Sequence, residues 1–175
     1  MPSPHSSSSD LESSLRRFDA QLRASDSATQ TLETWLATQS GNADVTLSAH
    51  VRAVVAPRVD LAVQRRLEVE RWAEVSYRRV WLVWQGRVLS VAENWFVAAR
   101  LGEGMAADLA GGATPFGAVI APLAPTRETL AAEWLWAGKG DRLPTALLSH
   151  HALVRASDGA PLCEVREVYT RNILT

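Results

Sequence analysis

Residues 75–98 read VSYRRVWLVWQGRVLSVAENWFVA. Two runs rich in β-branched and aromatic residues flank Gln85-Gly86, a two-residue connection of the kind that closes a β-hairpin. Strands are therefore expected over about 75–84 and 87–98. A second hairpin is expected from about Ala146 to Ala156, turning through Ser157-Asp158-Gly159-Ala160 and returning from Leu162 to Thr170. Between them, Thr126 to Trp136 reads as a further strand. Upstream, the alternation Val45, Leu47, Ala49, Val51 predicts a strand over 45–55 that Pro57 ends.

Helices are expected around these strands. Leu11, Leu15, Phe18 and Leu22 recur at helical spacing behind a cap at Ser9 or Asp10. Ser25 or Asp26 opens a shorter helix carrying Leu32, Trp35 and Leu36, which Ser40-Gly41-Asn42 breaks. Short helices follow at Met105–Ala110 and after Thr114-Pro115, with Thr114 as cap and Pro115 in the first turn. Residues 60–74 are charged and read equally as helix or irregular turn. The fold class is α+β, an antiparallel sheet with helices covering a buried ligand pocket. Residues 1–9 form a Ser/Pro-rich tail expected to be disordered, and 10–175 a single domain.

Composition narrows the function. With 18 Lys+Arg against 19 Asp+Glu, the chain has no basic excess to grip nucleic acid. One cysteine, Cys163, excludes an internal disulfide framework. No apolar run suits a membrane span and no secretory leader is evident, so the expected location is the cytoplasm. GxxxxGK[ST], GxGxxG and GxSxG are absent. His150-His151 lie on a strand, where neighbours point to opposite faces, so no metal site is expected from them. The seven Trp are either core residues or the wall of an aromatic-lined pocket. Arg78-Arg79 stand inside an apolar strand, and an inward arginine needs an anion. Glu164 or Glu167 on the last strand could supply it; so could a bound carboxylate held by the planar guanidinium. Glu93 raises the same question in reverse, and one answer is that it neutralises an arginine across the sheet.

Read in order, these pieces resemble the chorismate pyruvate-lyase family, whose fold is shared with effector-binding domains of GntR-type regulators. Arg78 with the turn at Gly86 is similar to that family's Arg…Gly-Glu-Pro hairpin. Thr114-Pro115-Phe116-Gly117 resembles its TPLG segment, and Thr126-Arg127-Glu128 its Thr-Arg-Asp. The turn 157–161 leading to Glu167-Val168-Tyr169 resembles Ser-Gly-Lys-Pro leading to Glu-Leu-Phe, and Trp35-Leu36 has a counterpart. The resemblance implies cleavage of chorismate to 4-hydroxybenzoate and pyruvate without metal or organic cofactor. It implies Arg78 and Glu167 as catalytic residues, Arg78 on the ring carboxylate and Glu167 at the hydroxyl, with the Phe116 backbone N–H on the carboxylate.

The chain departs from that pattern in three places. Ala92-Glu93 replaces Gly-Arg, His150-His151 replaces Arg-Arg, and no Asp-Ser-Met-Thr loop occurs near 38–43. Glu93 and His151 thereby become candidate ligand-binding residues, and Glu164 or Arg166 competes with Glu167 for one role. The expected ligand is a small aromatic carboxylate, chorismate or a hydroxybenzoate. The alternatives are a non-catalytic aromatic-acid-binding domain of this fold, or an enzyme of this fold with altered substrate. Residues 1–45 are too short and Ser-rich for a winged helix-turn-helix. Nothing in the sequence sets the oligomeric state.

Overall fold

A computed structural model of the chain describes residues 7–138 and 143–174. Six strands form one antiparallel sheet: β1 (Ser48–Ala53), β2 (Ser76–Trp84), β3 (Arg87–Phe96), β4 (Thr126–Trp134), β5 (Ala146–Arg155) and β6 (Pro161–Thr170), in the spatial order β1-β2-β3-β6-β5-β4. The two predicted hairpins thus lie side by side at the centre of the sheet. Gln85 and Gly86 both take positive φ, at 49° and 75°, as a tight turn matched to strand twist requires.

Helix α1 (Ser8–Arg23) starts earlier than the predicted caps. Ser7 and Asp10 form a reciprocal capping box, in which the Asp10 N–H donates to Ser7 Oγ and the Ser7 N–H to Asp10 Oδ2. Residues 1–6 of the expected tail lie outside the described residues. Helix α2 (Ala28–Ser40) is capped by Ser27 and stops at Gly41 in the left-handed region. The open segment 60–74 resolves into α3 (Leu61–Arg66), capped by the Asp60 carboxylate, followed by a single helical turn at Trp72–Glu74. Helices α4 (Met105–Gly111) and α5 (Phe116–Ile120) complete the set.

Two expectations are corrected locally. Val45 and Leu47 are buried but precede β1, because the Leu47 N–H donates to the Glu33 carboxylate instead of to a neighbouring strand. Thr114 does not cap α5; Pro115 holds the cap position, and the Thr114 carbonyl accepts from Arg78 Nη2.

The sheet carries helices on both faces. On one, Leu15, Phe18 and Leu22 of α1, Leu32 and Trp35 of α2, and Phe116 and Ile120 of α5 pack on Val80, Ala92, Val165 and Tyr169. On the other, Val63 and Leu67 of α3 pack on Tyr77, Trp95 and Leu153. Strand alternation therefore sorts the polar residues: Arg78, Asn94, His150 and Glu167 go under α1, α2 and α5, while Tyr77, Glu93, His151 and Glu164 face the side of α3. Among the described residues, no helix is long and apolar enough to cross a membrane.

Candidate functional site

Arg78 is the largest fully buried side chain, with 1% of its surface exposed. Its Nη2 donates to the Thr114 carbonyl at 2.9 Å, while Nε and Nη1 are buried without a hydrogen-bond partner. Neither glutamate considered from the sequence reaches it. Burial pushes the Arg78 pKa down, and no carboxylate counters it. A buried guanidinium with two nitrogens outside any protein hydrogen bond is costly, because burial removes it from water without replacing the lost bonds.

Glu167 lies on the same face but belongs to another cluster. Its Oε2 accepts from Arg127 Nη2 at 3.1 Å and from the Tyr169 hydroxyl at 2.8 Å. The Arg127 and Glu167 side chains are 2% and 6% exposed, and Arg127 Nε is unpartnered. Burial, reinforced by the Glu167 charge, pushes the Tyr169 pKa up, so Tyr169 stays a hydroxyl donor. Next to this pair, Asp19 of α1 accepts from His150, Trp134 and Arg23. Burial lowers the His150 pKa against the opposing pull of Asp19.

A cavity runs between these groups and the helices above. Val80, Leu82, Ala92, Ile120 and Val165 give it apolar walls; Asn94, Arg127 and Glu167 supply polar groups, and Phe116 closes one end. Its roof is the start of α2 at Ser27–Thr29 against Gly117 of α5, packed so closely that a Cβ on Gly117 would sit 2.9 Å from Thr29 Oγ1. Asp26, at the mouth, accepts from the Arg127 N–H and ties the roof to β4. The cavity encloses about 50 Å³, room for water but not for an aromatic ring, so a larger ligand must part α2 from α5.

Arg78 does not line that cavity. Its cross-strand partner Asn94 does, whereas Arg78 lines a second hollow beside Phe96 and Leu109. The Phe96 and Phe116 rings, 5.6 Å apart, meet where the two spaces adjoin.

The remaining candidates are on the other face of the sheet. Glu164 is fully buried and accepts from Arg66 Nε and Nη2 at 2.7 and 2.9 Å, and from Arg166 at 3.2 Å; it also bonds His151 Nε2 at 2.6 Å. Burial alone would raise its pKa, but the hydrogen bonds from His151 and Arg66 outweigh this and bring it down to about 2. Glu93 sits opposite Arg79 in the register and accepts from the Tyr77 hydroxyl at 2.6 Å; burial and that bond raise the Tyr77 pKa. The structure thus gathers Phe116 and Glu167 on one cavity, sets Arg78 beside it, and separates Glu93, His151 and Glu164 from all three by the thickness of the sheet. Arg127 also lines this cavity and is not among the sequence candidates. Its signal was the Thr-Arg-Glu match itself, read only as a landmark. None of the seven Trp lines the Glu167 cavity, and Trp72 lines the hollow beside Arg78.

No protein-family model matches the sequence. The fold is similar to PhnF from Mycobacterium smegmatis, with a TM-score of 0.57 at 16% identity over 85% of this chain and 65% of that one. The effector domain of PhnF alone gives 0.56 at 15% identity, over 84% of this chain and 90% of that domain. A possible transcriptional regulator, YydK from Bacillus subtilis, gives 0.50 at 13% identity, over 74% of this chain and 60% of that one. The chain therefore spans less than two thirds of PhnF and of YydK, and most of the isolated effector domain. Its architecture is the chorismate lyase-like α+β fold of such domains. In sequence it is 31% identical over 178 residues to the uncharacterized protein y4mC of Sinorhizobium fredii, covering 91% of this chain and 75% of that protein. On that identity and coverage, the chain belongs to the y4mC family.

Proposed function

We propose that this chain is a non-catalytic binding domain for a small aromatic carboxylate such as 4-hydroxybenzoate. The observation that carries the reading is Arg78, a buried guanidinium with two nitrogens that have no protein partner and, among the described residues, no carboxylate bonded to it. A ligand carboxylate supplies the missing charge, assisted by the backbone N–H of Phe116. The ring lies among Ala92, Ile120 and Val165, and its distal polar group meets Glu167 and Arg127. Entry requires α2 and α5 to part, and the released Asp26 contact makes the α1–α2 connection responsive to ligand.

Binding suits these groups better than chorismate cleavage does. Elimination of enolpyruvate wants a mobile proton carrier, and Glu167 is held by Arg127 and Tyr169 through one oxygen. Titration calorimetry with 4-hydroxybenzoate tests the reading. The expected result is saturable binding that Arg78→Met weakens by about 30-fold or more, since truncating one side of a buried charge pair costs about 2–5 kcal/mol. Wild-type affinity in folded Arg78→Met overturns it. Stoichiometric release of pyruvate and 4-hydroxybenzoate from chorismate would replace the binding reading with the lyase.

A further inference from the structure

Beyond the Phe96–Phe116 contact lies a hollow of about 390 Å³, within the usual range for small-ligand sites and far larger than the Glu167 cavity. It runs between the end of β1, the start of β2 and helix α4. Its wall is apolar, with Val54, Val55, Trp72, Phe96, Ala106 and Leu109 prominent, and among the described residues Arg78 is the one charged residue on it. Val54 and Val55 are 55% and 78% exposed, an apolar lip where a strand end would ordinarily carry polar residues. The hollow thus combines a greasy mouth and body with a single buried cation whose Nε and Nη1 lack partners.

We propose that this hollow is a second binding site, for an unbranched aliphatic carboxylate of medium chain length, with the carboxylate on Arg78 and the tail leaving between Val54 and Val55. Each part of the hollow discriminates. An apolar ligand without a charge leaves Arg78 unsatisfied, and a compact polar anion leaves the apolar wall wet. A sugar or nucleotide would bring hydroxyls to a wall whose polar side chains besides Arg78, among the described residues, are Ser76, Tyr77 and the Trp72 indole, and the Tyr77 hydroxyl is committed to Glu93. The inference rests on the proposed function only in taking Arg78 as a carboxylate anchor. Because one guanidinium serves both spaces, the aliphatic and aromatic acids exclude each other.

The test is calorimetry on the full chain with hexanoate, octanoate and decanoate, followed by competition between decanoate and 4-hydroxybenzoate. Burial of each methylene predicts affinity rising about fourfold per added carbon, and decanoate displacing 4-hydroxybenzoate competitively. Ala106→Trp, which fills the hollow from α4, should weaken decanoate at least tenfold and leave 4-hydroxybenzoate unchanged. Val55→Asp at the exposed lip should also weaken decanoate, and its position guards against a folding defect. Affinity independent of chain length, or wild-type decanoate binding in both variants, overturns the second site. Binding of 4-hydroxybenzoate without decanoate removes this inference and leaves the proposed function standing. Binding of decanoate alone does the reverse, and binding of neither removes both.

Discussion

The two faces of the sheet treat buried charge in opposite ways. Under α3, Glu164 is surrounded by Arg66, His151 and Arg166, and Arg166 also reaches Asp60, so each charge has a partner. Under α1, α2 and α5, Arg127 pairs with Glu167, while Arg78 has no carboxylate partner among the described residues. Asp19 on this face is occupied by His150, Trp134 and Arg23. A closed network of this kind fixes a helix on a sheet. An incomplete one spends stability on a group that a ligand can complete. Under the proposed function the α3 face is structural and the other binds ligand, and this contrast can be broken by mutation.

The largest effect is expected at Glu164. Glu164→Gln leaves Arg66, His151 and Arg166 around a neutral amide and should destabilise the fold by about 3 kcal/mol in urea unfolding. Affinity for 4-hydroxybenzoate should not change in the folded fraction. Arg78→Met should do the opposite: removing an uncompensated buried cation is expected to stabilise by about 1–2 kcal/mol while binding is lost. If Arg78→Met destabilises as much as Glu164→Gln, the two faces do not differ in the way described.

Acid should distinguish the faces more gently. The His150 pKa is lowered in the fold from its ordinary 6.5, so below about 6.5 the unfolded chain takes up a proton that the native state resists, and stability falls with pH. The Glu164 pKa is lowered from 4.5 to about 2, so its contribution is complete above 4.5 and is lost as pH falls toward 2. Unfolding measured from pH 7 to 3 should show both declines. His150→Gln should remove the upper one and Glu164→Gln should reduce the lower, to which the lowered Asp19 and Asp60 carboxyls also contribute; declines unchanged in both variants would refute the assignment.

Much of the fold was legible because its signals are local. The Gln85-Gly86 turn, the 157–160 turn and the helical spacing of Leu15, Phe18 and Leu22 each specify an element from neighbouring residues alone. Boundaries slipped where a distant group intervened. Glu33 takes the Leu47 N–H that would have begun β1, and Arg78 takes the Thr114 carbonyl near the start of α5. The candidate site was half legible. Arg78 stood out as a charge inside an apolar strand, and Phe116 and Glu167 came through the family resemblance. Arg127 did not stand out, because an arginine at the start of an edge strand looks like any surface residue until Glu167, 40 positions away, is beside it.

Sequence by itself determined the class of fold, the two central hairpins and the presence of an arginine that must face inward, since each follows from periodicity and from the cost of burying a charge. Tertiary structure decided which face each glutamate joined and which arginine each one satisfied. Pairing β6 with β3 and β5 sends Glu164 to α3 and Glu167 to Arg127, because residues three apart on a strand point to opposite faces. Parity took Glu164 off the face of Arg78 and Arg127 took Glu167 on it, which left Arg78 without a carboxylate among the described residues, a fact that belongs to the assembled sheet and to no segment of the chain.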